Sequence, residues 1–161
     1  MRLAIALAVT LAAAGAWADD LPRQPVLTAA LASEAVQAAV QACAKQGKHV
    51  TAAVVDQGGN LRALLRDDGA APHTVDSAAK KAYTANTYRT ATLEFSRRVA
   101  ANPDLADLRR MNDRVLILGG GVPLKVGEEV IGAIGVGGTP SLEMDEGCAK
   151  AGADRIQDRL R

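Results

Sequence analysis

The sequence predicts a single α+β domain, an antiparallel sheet of about five strands covered by helices. Three observations carry this. Apolar residues recur at helical spacing near both ends of the chain and in its middle, in segments opening at Thr28, Pro72, Ala91 and Ser141. Between them, short runs rich in β-branched residues are broken by tight-turn signals, Gln57-Gly58-Gly59-Asn60 and Gly127-Glu128-Glu129, which read as hairpins. The chain has 161 residues, 48% of them hydrophobic, enough for one core and too few for two ordinary domains.

Residues 1–18 read as a secretory signal: Arg2 is the basic start, Leu3 to Ala14 the apolar run and Ala16-Trp17-Ala18 the cleavage site. The run falls short of the about 20 apolar residues that span a bilayer. Residues 19–27, with Pro22 and Pro25, read as a flexible lead-in to one domain over 28–161. Thr28 is placed to cap a helix reaching Gln46, with Ala32, Val36, Ala39, Val40 and Cys43 on one face. Val50–Val55 and Leu61–Arg66 form the first hairpin. From Pro72 a helix shows a small apolar face (Val75, Ala78, Ala79, Ala82, Ala85) and a polar stripe of His73, Ser77, Lys80, Thr84 and Thr87. A helix over Ala91–Ala101 ends at Asn102-Pro103, and a short helical turn runs on to Arg109. Three strands follow, Arg114–Leu118, Val122–Val126 and Val130–Val136. Ser141 caps the last helix, whose stripe carries Cys148, Gly152, Ile156 and Leu160.

Composition excludes several functions. There are 19 basic and 18 acidic residues, so no basic excess points to nucleic acid. Only four residues are aromatic, Trp17, Tyr83, Tyr88 and Phe95, which argues against a stacking platform for bases. No later segment is long and apolar enough for a membrane span. Export favours a Cys43–Cys148 disulfide, since both cysteines lie on apolar stripes of terminal helices; the alternative is two buried thiols. The expected location is the periplasm or outside the cell.

Three segments, AVVDQGGNLRALLRDDGAAPHTVDSAAKKAYTA (53–85), LGGGVPLKVGEEVIGAIGVGG (118–138) and DEGCAKAG (145–152), together resemble the GlcG/HbpS family. The domain of that family is also similar to the C-terminal domain of PduO-type proteins. The resemblance covers nearly all of the chain after the signal. It implies a profilin-like fold with a five-stranded antiparallel sheet, haem binding as in several members, and a homo-oligomer. It implies no named reaction, because the family includes members without an assigned activity.

A haem site needs an axial donor, an apolar slot and cations for the propionates. His73, at the start of a helix inside the first family segment, is the candidate iron ligand. Ser77, Lys80, Tyr83, Thr84 and Arg66 are the candidate ligand-binding residues around it, with Asp56 bordering the same cleft. His49 reads as a surface histidine. Tyr83 and Tyr88 could offer phenolates, but Tyr83 follows His73 by about 1000° of helical rotation, so the two do not share a face. Met111 and Met144 read as packing residues. Lys80, Lys81, Arg89, Arg97 and Arg98 could pair with propionates or another carboxylate, Lys80 being best placed, although a solvated helix face is the plainer reading. Asp145-Glu146 could make an acidic site but read more simply as first-turn acids. Gly119–Gly121 leads into a strand and fails the phosphate-loop pattern, whereas the Gly138–Ser141 helix start could hold a small anion. No HExxH, CxxC or nucleophile–histidine–acid spacing appears. The expected function is exported, non-catalytic binding or handling of haem b or a related tetrapyrrole. The alternatives are a sensor or enzyme for small organic acids, of the GlcG type, and an assembly module with no ligand.

Overall fold

A computed structural model describes residues 24–160. The signal segment lies outside them, as do residues 19–23 of the lead-in. In chain order the elements are α1 (Ala29–Ala44), β1 (Thr51–Asp56), β2 (Leu61–Arg66), α2 (Thr74–Tyr88), α3 (Thr92–Ala101), a 3-10 helix (Pro103–Arg110), β3 (Gly121–Val126), β4 (Glu129–Gly137) and α4 (Leu142–Gln157). The strands form one antiparallel sheet in the order β2-β1-β4-β3. No helix among the described residues is long and apolar enough to cross a membrane.

The caps fall where the sequence places them. The Leu31 amide donates to Thr28 Oγ1, and the Met144 amide to Ser141 Oγ. Alternation along β1 then divides the helices between the sheet faces. Ala52 and Val54 point to α1 and α4, joining Val36, Val40, Ile134, Val136 and Ile156 in the main core. Val55 points the other way, with Ala82 and Ala85 of α2 and Ala133 of β4. Leu27, at the end of the lead-in, is buried in the main core. Cys43 and Cys148 form the disulfide, which ties α1 to α4.

Glycine sets the closeness of α2 to the sheet. A Cβ built on Gly135 of β4 would overlap the Ala78 carbonyl oxygen and the Ala82 amide, so helix and strand meet at backbone distance. Ala78, Ala82 and Ala85 form this contact, while Val75, assigned to the same face by periodicity, is 37% exposed. Its position falls on the side of α2 turned from the sheet.

The sheet has four strands, not five. Arg114–Leu118 is not a strand, because its backbone groups have other partners. The Val115 amide donates to the Asn112 carbonyl, Leu118 to Leu116, and Leu116 to Thr84 Oγ1 on α2. Val115 and Ile117 are buried with Phe95 and Val99 in a satellite core, to which Tyr83, Tyr88, Leu105 and Leu108 also pack. The β-branched run is apolar because it is covered by α3 and the 3-10 helix, not because it pairs in the sheet.

Candidate functional site

The site is organised by α2. The helix begins after the loop 67–73, which is pinned at several points. Both Nε and Nη2 of Arg66 donate to the Ala70 carbonyl, at 2.8 and 2.5 Å, so this guanidinium braces the loop. Thr74 Oγ1 donates to the Ala71 carbonyl and meets Thr51 Oγ1 of β1 at 2.7 Å. His73 stands just before the first turn, exposed, and its side chain caps nothing. Among the described residues its imidazole makes no hydrogen bond or ion pair.

The rest of the predicted polar stripe is divided. Ser77 is half-buried, its Oγ donates to the Thr74 carbonyl, and it lies against Gly137 of β4. Thr84 is fully buried; it donates to the Lys80 carbonyl and accepts from the Leu116 amide, holding the 115–117 segment to α2. Lys80 and Tyr83 turn the other way, into a cleft of about 150 Å³ between α2 and β2 that is also lined by Val55, Leu61, Asp76, Ala79 and Arg114. The structure therefore brings Lys80 and Tyr83 together and leaves His73, Ser77, Thr84 and Arg66 outside that cleft. Lys80 pairs with Asp76 at 3.1 Å, one helical turn away. Asp56 is engaged by Asn60 in the hairpin turn and lines a neighbouring cleft of about 200 Å³ beside residues 24–27.

Arg114 is the residue that spacing alone did not single out. Its guanidinium carbon lies 3.9 Å from the centre of the Tyr83 ring, and its Nη2 donates to the Gly59 carbonyl in the first hairpin turn. The only hint in the sequence was a basic residue at the start of an apolar run.

Several other candidates have structural partners. Lys81 is not on a solvated face. Its Nζ meets Asp145 Oδ2 at 2.7 Å, with the two side chains 4% and 2% exposed. The other Asp145 oxygen accepts from the Thr139 amide, and Glu146 accepts from the Leu93 amide at the start of α3. Asp145 and Glu146 therefore join α4 to α2, α3 and the loop before α4, a stronger role than first-turn acids have. Arg97 pairs with Glu143, Arg98 lies 5.0 Å from the Phe95 ring centre, and Arg89 ends α2 at a positive φ of 54°. Tyr88 stacks on Phe95 at 4.2 Å with its hydroxyl buried and lacking a partner among the described residues. Burial, and then the neighbouring Tyr83, push its phenol above the ordinary value, which opposes a phenolate ligand there.

His49 belongs to a small dyad at the loop that leads to α2. Its Nδ1 meets Asp67 Oδ1 at 2.8 Å, and Asp67 Oδ1 also accepts from the Gly69 amide. The Gly69 amide and then His49 hold the Asp67 carboxyl below the usual carboxylate range. A depressed carboxyl contributes stability that is present above its unfolded value and lost as pH falls through the folded one. We expect Asp67→Asn to lower the thermal midpoint at neutral pH, and the gap from the parent to close below about pH 4. A gap of constant size from pH 7 down to pH 2 would contradict this.

A cleft of about 650 Å³ lies between α1 and α4 on the far face of the sheet; Glu34, Gln37, Gln41, Lys45, Asp154 and Arg155 line it with three alanines, and no ring or thioether donor. No group of three or more histidine, cysteine or acidic side chains among the described residues is placed to hold a metal ion.

The family model described as "Haem degrading protein HbpS-like" matches residues 27–154. The chain is 35% identical, over 129 residues, to an uncharacterised 15.0 kDa protein from the dhaT-dhaS intergenic region of Citrobacter freundii, covering 80% of this chain and 90% of that one. Among solved structures it is similar to a double mutant of Streptomyces reticuli HbpS, with 39% identity and a TM-score of 0.78 over 90% of this chain and 97% of that one. Klebsiella pneumoniae ORFY gives 30% identity and a TM-score of 0.80 over 88% and 97%. A PduOC:haem complex gives 29% identity and 0.74 over 81% and 95%.

Proposed function

The chain belongs to the HbpS-like family, and from that premise we propose that it is an exported, non-catalytic haem-binding protein that holds haem b at the start of α2. The observation that carries the reading is the likeness, over 81% of the chain, to a domain solved as a haem complex. The local chemistry supports it. His73 offers an exposed imidazole with no competing partner among the described residues, and Lys80 offers a cation two helical turns further on, roughly 10 Å along the axis. Val75 supplies exposed apolar surface beside His73. The clefts that adjoin α2 and the first hairpin, about 150 and 200 Å³, are smaller than the about 300 Å³ or more typical of enclosing ligand pockets. The residues present fit a haem held on the surface or completed by a second copy of the chain.

When bound, the group would supply an iron centre open to ligation. The chain's own part is narrower. His73 donates a lone pair, Lys80 and Tyr83 border the ligand's polar edge, and Arg66, Ser77 and Thr84 keep the loop and α2 in place. Export to the periplasm or beyond is supported by the pattern of residues 1–18 and by a disulfide that persists in oxidising compartments. Assembly into a homo-oligomer is supported by the exposed apolar side chains Leu61, Val75, Met111 and Leu118.

Titrating hemin into the purified protein is expected to give a saturable Soret shift at stoichiometric ratio, with His73→Ala weakening binding by roughly tenfold or more, about 1.4 kcal/mol. No saturable shift in the parent, or identical titrations for parent and variant, would refute the reading or the assignment of His73 respectively.

A further inference from the structure

We propose that the cleft between α2 and β2 is a seat for a carboxylate group, with Arg114 as its principal recognition residue and Lys80 as the second cation. The carboxylate belongs either to a small organic acid or to the propionate arm of a tetrapyrrole. The inference rests on the haem-binding reading only in the second case.

The geometry is that of a prepared anion site. Arg114 is fixed from two directions, by its Nη2 bond to the Gly59 carbonyl and by its stack on Tyr83. A guanidinium held in one plane loses little freedom when it binds a carboxylate through its fork. Its Nε and Nη1 make no hydrogen bond among the described residues, and neither does the Tyr83 hydroxyl. Lys80 enters the same cleft, and its present partner Asp76 is a largely exposed carboxylate in an i,i+4 pair. Such pairs are weak, so an incoming carboxylate competes on nearly equal terms. Val55, Leu61 and Ala79 provide an apolar wall for the carbon skeleton of the ligand. The volume, about 150 Å³, admits one small acid or one arm of a larger ligand. Asp76 is the built-in opponent: it neutralises Lys80 and repels an anion.

The test uses the full chain and three probes: sodium benzoate, hemin, and hemin with both propionates esterified. Benzoate binding is read by calorimetry and hemin binding by the Soret band. The seat predicts that benzoate binds saturably, or that hemin binds about tenfold more tightly than its diester. Arg114→Gln and Lys80→Met should each weaken whichever carboxylate binds by about tenfold, the loss expected for a charge-assisted contact. Asp76→Asn should tighten it. Lys80→Met keeps the proposal testable if Arg114→Gln, having lost its stack on Tyr83, does not fold. Benzoate binding that these variants weaken, with no Soret shift from hemin, would establish the seat and overturn the haem reading. Hemin binding equal to that of the diester and unmoved by the variants, with no benzoate binding, would overturn the seat and leave the haem reading standing. Failure of every probe to bind overturns both.

Discussion

Reducing the Cys43–Cys148 disulfide is expected to lower the stability of the folded protein by about 4–5 kcal/mol. The two cysteines are 105 positions apart, so the bond closes a loop through nearly the whole domain and restricts the unfolded chain accordingly. Both sulfurs are buried where α1 crosses α4, and there the helices meet closely: a Cβ on Gly152 would press on the Ala35 carbonyl. The folded state therefore keeps its packing when the bond is broken, and the loss falls mainly on the unfolded side. Urea denaturation of the parent with and without reductant, and of Cys43→Ser/Cys148→Ser, should give the same large drop in midpoint. A midpoint that reductant does not move, with thiols shown to be free, would refute the expectation.

Lys81→Met should destabilise the protein by about 3–5 kcal/mol, because it leaves the Asp145 carboxylate buried without its counter-charge. Asp145 would keep one hydrogen bond, from the Thr139 amide, which does not replace a cation at 2.7 Å. The pair lies beneath Gly120, where an added Cβ would stand 3.0 Å from Lys81 Nζ, and the two side chains are 4% and 2% exposed, so the carboxylate left behind is shielded from bulk solvent. The informative comparison is with Lys81→Met/Asp145→Asn. The asparagine keeps an acceptor for Thr139 and removes the charge, so the double variant should recover more than half of the loss. A single variant that loses less than about 1 kcal/mol, or a double variant no better than the single, would show that the ion pair is not what holds α2 to α4.

These two results test different levels of the same fold. The disulfide was legible in the sequence, since an export pattern and two cysteines on helical apolar stripes point to each other. The ion pair was not. Lys81 stands beside Lys80 in the chain, and one residue is about 100° of helix rotation. That rotation takes Lys80 to the outer cleft and Lys81 under Gly120 and Gly121. Which of the two lysines is buried depends on the side from which β3 and the loop before it approach α2, and spacing within α2 carries no such information.

The candidate site shows the same division. His73 at the start of α2 and Lys80 along it could be read from the order of residues. Arg114 could not, because its position over Tyr83 depends on the path of the chain after the 3-10 helix. An apolar, β-branched run such as Arg114–Leu118 satisfies the pattern of a strand equally well whether it pairs in a sheet or is covered by helices. The partner of its backbone decides, and that partner is Thr84, 32 residues earlier.

What can be read from the order of residues is therefore local. Caps at Thr28 and Ser141, two hairpins and the small-residue contact face of α2 follow from neighbouring residues and from period. Tertiary structure alone decided the number of strands, the burial of Lys81 with Asp145, and the meeting of Arg114, Tyr83 and Lys80 at one cleft. The reason is physical: hydrogen bonds, ion pairs and ring contacts between distant segments depend on how layers are stacked, and a glycine-lined sheet that lets α2 approach to backbone distance sets that stacking with few side chains to announce it.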